Sequence, residues 1–239
     1  MRIAIVSDIH GNLTAFEAVL RDLRQTSPDL IFHGGDLADA GASPVEIVDR
    51  IRELGWAGVV GNTDEMLAMP ETLEEFASQS KAPASLWAVV REMAVFTRAA
   101  LGEERIAWLR GLPQIQKHGP VALVHAIPEN RWKAPMPEAS DAEMEAAYSP
   151  LGREIVVYGH IHRPFVRRIS KMTVINTGSV SLSYDGDRRA AYLLLDESEA
   201  TIRRVEYDVD REITALADCG LPHPGWIAKT LESGRPQMP

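Results

Sequence analysis

The chain has 239 residues, of which 45% are hydrophobic and 25% are charged, and its formal net charge at pH 7 is −9. This composition excludes disordered and fibrous chains. The excess of acidic residues also argues against a protein that coats nucleic acid through a broad basic surface. A single cysteine, Cys219, cannot form an internal disulfide, which is typical of a reducing compartment.

The length permits two small domains or one large α/β domain. No Gly/Ser linker, charge block or repeat separates the halves, so we predict a single domain over 1–239. The first eight residues contain only a short apolar run that ends at an acid, and no segment approaches the roughly 20 apolar residues that span a bilayer. We therefore expect a cytoplasmic protein that does not associate with a membrane.

The first part of the chain repeats one pattern three times, an apolar strand followed by a polar loop and then a helix. These strands are predicted at 2–7, 30–32 and 57–60. Successive units of this kind form parallel strands with right-handed crossovers, and their C-terminal loops gather along one edge of the sheet. We therefore expect the polar loops 8–12, 34–36 and 61–64 to be neighbours.

Packing helices are predicted over 71–110, and short strands that indicate a second sheet follow them. These strands are predicted at 114–117, 121–124, 155–158, 165–169, 173–176, 190–195 and 201–207. The segment 126–150 between two of them contains three prolines before a capping-box pattern that begins at Ser140. Because long loops in compact chains are usually functional, we interpret this segment as a substrate-recognition insertion.

Side chains that can bind a metal directly follow these strands. They are Asp8, His10, Asp36, Asn62, His125, His160 and His162. Each alone has an ordinary explanation, such as a helix cap, a turn or a buried histidine bonded to a carbonyl. Together they suffice for two ions, with Asp36 on the middle strand as the candidate bridge. An extended backbone would point Asp8 and His10 the same way, and likewise His160 and His162. Carboxylate, amide and imidazole ligands without thiolate favour Mn, with Fe, Zn or Ni as alternatives.

The order D-x-H, G-D, G-N-x-D, H and G-H-x-H resembles the calcineurin-like metallophosphoesterase superfamily, in particular its small bacterial phosphodiesterase-type branch. The turn Asn176-Thr177-Gly178-Ser179 is similar to the Asn-Pro-Gly-Ser turn of that family. The resemblance implies an α/β fold, a four-layer αββα sandwich of two mixed β-sheets flanked by helices. It also implies a dinuclear metal centre at the C-terminal edge of the strands.

The resemblance further implies how the ligands divide between the ions. One ion would be held by Asp8, His10 and His162, and the other by Asn62, His125 and His160, with Asp36 shared. A hydroxide that bridges the two ions would attack phosphorus in line. Asp36, Asn62 and His125 are accordingly the residues expected to be catalytic.

One position departs from the family pattern, because Thr63 stands where many members have the histidine that protonates the leaving group. A threonine hydroxyl donates a hydrogen bond but is a poor acid. This favours substrates whose leaving group needs little protonation, such as aryl phosphodiesters or nucleotide phosphoanhydrides.

The expected substrate contacts are Asn62, Thr63, Arg131 and Arg163, and Trp132 is expected to stack on a base. The alternative is that Arg131 and Trp132 serve only in packing and solvation.

The sequence therefore predicts a hydrolase that cleaves nucleotide-like phosphodiesters and takes a small phosphate ester or nucleotide as its partner. Three alternatives stay open: a diadenosine tetraphosphate hydrolase, a phosphomonoesterase, and a scaffold without activity like the retromer subunit that resembles these enzymes. Homo-oligomerisation is also left open.

Overall fold

Two mixed β-sheets packed face to face form the centre of the computed structural model, which describes residues 1–197 and 199–239. The strands are β1 (Arg2–Val6), β2 (Leu30–His33), β3 (Ala57–Gly58), β4 (Ile115–His118), β5 (Val121–Val124), β6 (Ile155–Tyr158), β7 (Phe165–Ile169), β8 (Met172–Asn176), β9 (Ala190–Asp196) and β10 (Glu199–Val205). The helices are α1 (Leu13–Thr26), α2 (Pro44–Leu54), α3 (Asn62–Ala68), α4 (Glu71–Gln79), α5 (Ala84–Arg110), α6 (Asp141–Tyr148), α7 (Val209–Asp218) and α8 (Pro224–Ser233).

The first sheet has the order β10-β9-β1-β2-β3, in which β1, β2 and β3 are parallel. Helices α1 and α2 make the crossovers between these strands, as the repeated pattern predicts. Strand β1 is apolar from Ile3 to Val6 because both of its faces are covered there. Ile3 and Ile5 pack between the two sheets, whereas Ala4 and Val6 pack against helices.

The second sheet has the order β4-β5-β6-β8-β7, with β5, β6 and β8 parallel and both edge strands antiparallel. Its outer face packs against α6, through Met144 and Tyr148. The predicted capping box is confirmed: Ser140 Oγ accepts a hydrogen bond from Glu143 N, and the Glu143 carboxylate accepts one from Ser140 N. The helix–sheet–sheet–helix layering predicted from the resemblance is confirmed.

Several boundaries differ from the sequence-based expectations. Strand β3 ends at Gly58, two residues before its predicted end at Val60. Val60 N donates its hydrogen bond to Pro113 O and not to a neighbouring strand. The helical stretch 71–110 is two helices, and α5 is broken at Gly102, whose φ is 69°. Helices α7 and α8 were not anticipated, and they pack against α5 through a cluster that includes Met93 and Leu216. Within the described residues no helix is both long and apolar enough to cross a membrane.

Candidate metal centre

Five polar loops meet at one edge of the two sheets, where β1, β2, β3, β5 and β6 end. Backbone hydrogen bonds join the first two loops, from Asp8 N to Gly35 O (3.0 Å) and from His10 N to Asp36 O (3.0 Å). A third bond, from Gly159 N to His125 O (3.0 Å), joins two loops of the second sheet. The expected proximity of the polar loops is therefore confirmed.

The backbone at this edge differs from the extended conformation expected for the histidine-bearing loops. Five residues have positive φ: Asp8 (57°), His10 (48°), Asp36 (53°), His160 (66°) and His162 (54°). The left-handed region is uncommon for residues other than glycine and costs about 1–3 kcal/mol for each residue. The expectation that an extended segment aligns these side chains is therefore wrong, since tight left-handed turns aim them instead.

Four buried side chains converge at the end of β1. One ligand atom from each of Asp8, His10, Asp36 and His162 lies within 4.8 Å of all the others. His10 Nε2 lies 3.3 Å from His162 Nε2, and His162 Nε2 lies 3.1 Å from Asp8 Oδ1. These side chains could hold one metal ion.

A second group lies on the other side of Asp36. Asn62 Oδ1 is 3.0 Å from His125 Nε2 and 2.8 Å from His160 Nδ1. Asp36 Oδ2 lies 3.7 Å from His10 Nε2 and 3.5 Å from His125 Nε2, so this carboxylate stands between the two groups. All seven side chains singled out from the sequence are thus brought together, in the two sets that the resemblance implies.

The hydrogen bonds of three imidazoles show that this donor set fits a cation. His10, His125 and His162 each direct Nδ1 at a backbone carbonyl, on Asp39 (3.0 Å), Gly34 (2.8 Å) and Leu182 (2.6 Å) respectively. A carbonyl only accepts, so each Nδ1 carries a proton, and Nε2 presents a lone pair whenever the ring is neutral. These lone pairs face each other and two carboxylates, an arrangement that metal-binding histidines adopt.

Electrostatics at the centre follow from the same geometry. Burial, together with the charge of His125, lowers the pKa of His160 to about 4. Burial alone would also lower the pKa of His125, but the neighbouring Asp36 carboxylate raises it to about 9. Burial disfavours ionisation of Asp36, yet the histidines around it hold its pKa below the usual range. A proton on His125 therefore competes with a cation for the same position.

Gly61 and Gly159, two glycines of the motifs, have no side chain, and the carboxylates of Asp36 and Asp8 occupy the space beside them. A methyl group at Gly61 would overlap the Asp36 carboxylate, and one at Gly159 would overlap the Asp8 carboxylate. The Gly-Asn and Gly-His pairs in the sequence thus reflect close backbone approach as well as turn formation.

Asp64 caps the first turn of α3 and also joins two loops of the centre. Asp64 Oδ2 accepts from Asp36 N (2.8 Å) and Gly61 N (3.0 Å), while Oδ1 accepts from Leu37 N (2.9 Å). This buried carboxylate fastens the loop after β2 to the loop after β3. Ser179, which was noted only as part of a family-like turn, donates from Oγ to Asp8 O (2.8 Å).

Of the expected substrate contacts, Asn62 belongs to the centre itself, and the other three lie around it. Thr63 lies beside the centre, where its backbone N donates to Asp36 Oδ1 (2.9 Å). Arg131 forms an ion pair with the buried Glu65, and Arg163 pairs with Glu138 at the surface. The structure therefore places both arginines on protein carboxylates, and their contact with a phosphate stays a prediction.

Comparisons with known proteins agree with this geometry. A family model for the calcineurin-like phosphoesterase superfamily domain matches residues 1–200. A Methanocaldococcus jannaschii protein, described as uncharacterized, is 31% identical over 256 aligned positions that cover 98% of each chain. The crystal structure of a metallophosphoesterase from Sphaerobacter thermophilus matches with a TM-score of 0.80 at 26% identity, over 98% of this chain and 100% of that one.

A shorter similarity concerns the symmetrical bis(5'-nucleosyl)-tetraphosphatase of Aromatoleum aromaticum. It is 32% identical over 152 residues, which are 62% of this chain and 52% of that protein. The matched region includes no more than part of either protein, so it adds to the family assignment without fixing a substrate. With the family model matching residues 1–200, the chain belongs to the calcineurin-like phosphoesterase superfamily and is a metal-dependent hydrolase of phosphate esters.

Proposed function

We propose that this protein is a phosphodiesterase that uses two divalent metal ions, Mn²⁺ foremost, to hydrolyse nucleotide-like phosphodiesters. The observation that carries the proposal is the position of Asp36 between two sets of buried side chains, Asp8 with His10 and His162 on one side and Asn62 with His125 and His160 on the other. Divalent cations held there would supply Lewis acidity and a nucleophilic water at neutral pH.

The chain's own residues keep this arrangement rigid. Hydrogen bonds from the three Nδ1 atoms to backbone carbonyls orient His10, His125 and His162. The bond from Thr63 N orients Asp36. Since these groups are held before a substrate arrives, little reorganisation is needed when charge develops on the phosphoryl oxygens.

The surroundings of the centre support a diester more than a monoester. A phosphodiester carries one negative charge, whereas a phosphomonoester carries up to two near neutral pH. Arg131 and Arg163, which would balance a second charge, are each paired with a glutamate. Thr63 in place of an acid also suits a leaving group that departs without protonation.

A second candidate substrate is a dinucleoside polyphosphate such as diadenosine tetraphosphate. The similarity to the symmetrical bis(5'-nucleosyl)-tetraphosphatase favours it. A phosphoanhydride likewise has a leaving group that needs little protonation, so the same residues would act on it.

The test compares three substrates with the full chain after removal of bound metal and reconstitution with Mn²⁺, Zn²⁺, Ni²⁺ or Fe²⁺. They are bis(p-nitrophenyl) phosphate, p-nitrophenyl phosphate and diadenosine tetraphosphate. We expect Mn²⁺-dependent diester hydrolysis that Asp36→Asn abolishes and Asp49→Asn retains, because Asp49 pairs with Arg105 on the surface of α2. Faster cleavage of the monoester, or no hydrolysis with any metal, would contradict the proposal, and the second result would favour a scaffold.

A further inference from the structure

A cavity of about 380 Å³ lies beside the metal centre and has two chemically different ends. His10, Asn62 and His160 line the end at the centre. The aromatic part of the lining away from the centre comes from Phe76, Trp87, Trp132 and Trp226, whereas Tyr184 stacks on His162 beside the centre. Its volume falls in the range of about 300–1,000 Å³ that small-molecule sites occupy. A ligand that fills this cavity would therefore place one part at the centre and another among the rings.

The aromatic wall is assembled from separate helices and one loop. Phe76 lies on α4, Trp87 on α5 and Trp226 on α8, and the family match ends before α8 begins. Phe76 and Trp132 are stacked, with ring centroids 4.8 Å apart and an angle of 24° between the planes. Phe76 and Trp87 meet edge to face at 5.6 Å. These three rings form one contiguous aromatic cluster in the lining of the cavity.

Glu65 fixes the loop that contributes Trp132. The Trp132 indole donates from Nε1 to Glu65 Oε2 at 3.2 Å, and the Arg131 guanidinium pairs with the same carboxylate. Glu65 follows Asn62 by three residues on α3, so one short helix joins the metal centre to the aromatic wall. A ligand that binds at the rings is thereby held in a defined position relative to the centre.

The lining of the cavity contains polar side chains as well as rings. Asp39, Thr63 and Thr230 line it together with the aromatic residues. A nucleoside combines the flat apolar faces of its base with hydrogen-bonding groups on its base edge and sugar, whereas an alkyl chain has no such groups. The mixed lining therefore favours a nucleoside over a lipid chain as the occupant.

We infer that the aromatic cavity binds the base of a nucleotide ester, stacked among Phe76, Trp87 and Trp132, while the phosphate lies at the end lined by His10, Asn62 and His160. This inference rests on the proposed function and names its substrate class. The cavity accommodates one nucleoside, so recognition uses a single base. Base stacking on aromatic side chains contributes about 1–3 kcal/mol per base and tolerates different bases.

The test measures binding without metal or reaction. The full chain in chelator is titrated with adenosine, and tryptophan fluorescence is followed with excitation at the red edge of the band, where adenine does not absorb. Ribose 5-phosphate, which lacks a base, and hexan-1-ol, which lacks a ring, are the comparison probes. Phe76→Leu removes one ring and keeps every tryptophan. Phe96→Leu is the matched control, because Phe96 lies on α5 but is not among the residues that line the cavity.

We expect saturable binding of adenosine, a dissociation constant at least about fivefold higher in Phe76→Leu, and no change in Phe96→Leu. Val90→Phe adds a ring that fills the cavity from α5, so it should abolish adenosine binding. If Phe76→Leu folds poorly, the binding measured with Val90→Phe tests the inference instead. The inference is overturned if adenosine does not bind, or if hexan-1-ol or ribose 5-phosphate binds as tightly. Failure of diester hydrolysis with adenosine binding intact would instead overturn the proposed function alone.

Discussion

Replacing His33 should make the free energy of unfolding less dependent on pH. His33 lies on β2 with 0% of its surface exposed, and neither ring nitrogen has a hydrogen-bond partner in the structure. Burial disfavours the charged imidazolium and lowers the pKa of His33 to about 4. In an unfolded chain the pKa of histidine is about 6.5.

The sign of the effect follows from which state takes up the proton. Above about pH 6.5 the imidazole is neutral in both states, so its contribution to stability is fully present. As the pH falls from about 6.5 to about 4, the unfolded chain is protonated at His33 and the folded protein is not, so stability decreases. At about 1.4 kcal/mol for each pKa unit, the loss over this window reaches about 3 kcal/mol.

Urea unfolding across this pH range, in chelator, checks the prediction with two variants. His33→Leu and His33→Gln should both lose about 3 kcal/mol less than the wild type between about pH 6.5 and 4. His33→Leu should also be more stable near neutral pH, because it removes two buried nitrogens without partners, whereas His33→Gln keeps a buried polar group. Parallel pH curves for wild type and both variants would refute the reasoning.

Three further predictions concern the candidate centre. Asp64→Asn should lower the free energy of unfolding by about 2 kcal/mol in urea titrations, because an amide cannot accept all three backbone hydrogen bonds. The same variant should reduce kcat by roughly a hundredfold, because the loop that carries Asp36 shifts. An unchanged kcat would count against a positioning role for Asp64. Gly159→Ala should reduce the metal content measured after reconstitution, since the added methyl group displaces the Asp8 carboxylate; full metal content would show that the loop relaxes. Thr63→His should shift activity toward esters with poorer leaving groups, measured as the ratio of kcat/KM for alkyl and aryl diesters, and an unaltered ratio would remove the argument from leaving-group acidity.

Some features of the site could be predicted from the sequence because they depend on strand order alone. Each of Asp8, Asp36 and His125 lies within three residues of the C-terminal end of a strand, and parallel strands bring these ends to one edge. The layering of the fold follows from the same pattern, since strands with apolar residues on both faces must be covered on both sides. The helix after Ser140 was also predictable, because its capping box is local.

The tertiary structure alone decided how the site is held and what surrounds it. The left-handed turns at His10 and His160 are set by hydrogen bonds and close packing between loops, which local sequence preferences do not encode. The pairing of Arg131 with Glu65 joins residues 66 positions apart, so no local pattern could reveal it.

The aromatic cavity is the clearest case of this distinction. Phe76, Trp87, Trp132 and Trp226 are scattered along the sequence. Trp132 is a base-stacking candidate from its own segment, whereas the other three resemble ordinary packing residues. They become neighbours only because α4, α5 and α8 pack over the same edge of the sheets. The sequence by itself thus determined the residues of the candidate metal centre, whereas the packing of distant helices determined the shape and chemistry of the space beside it.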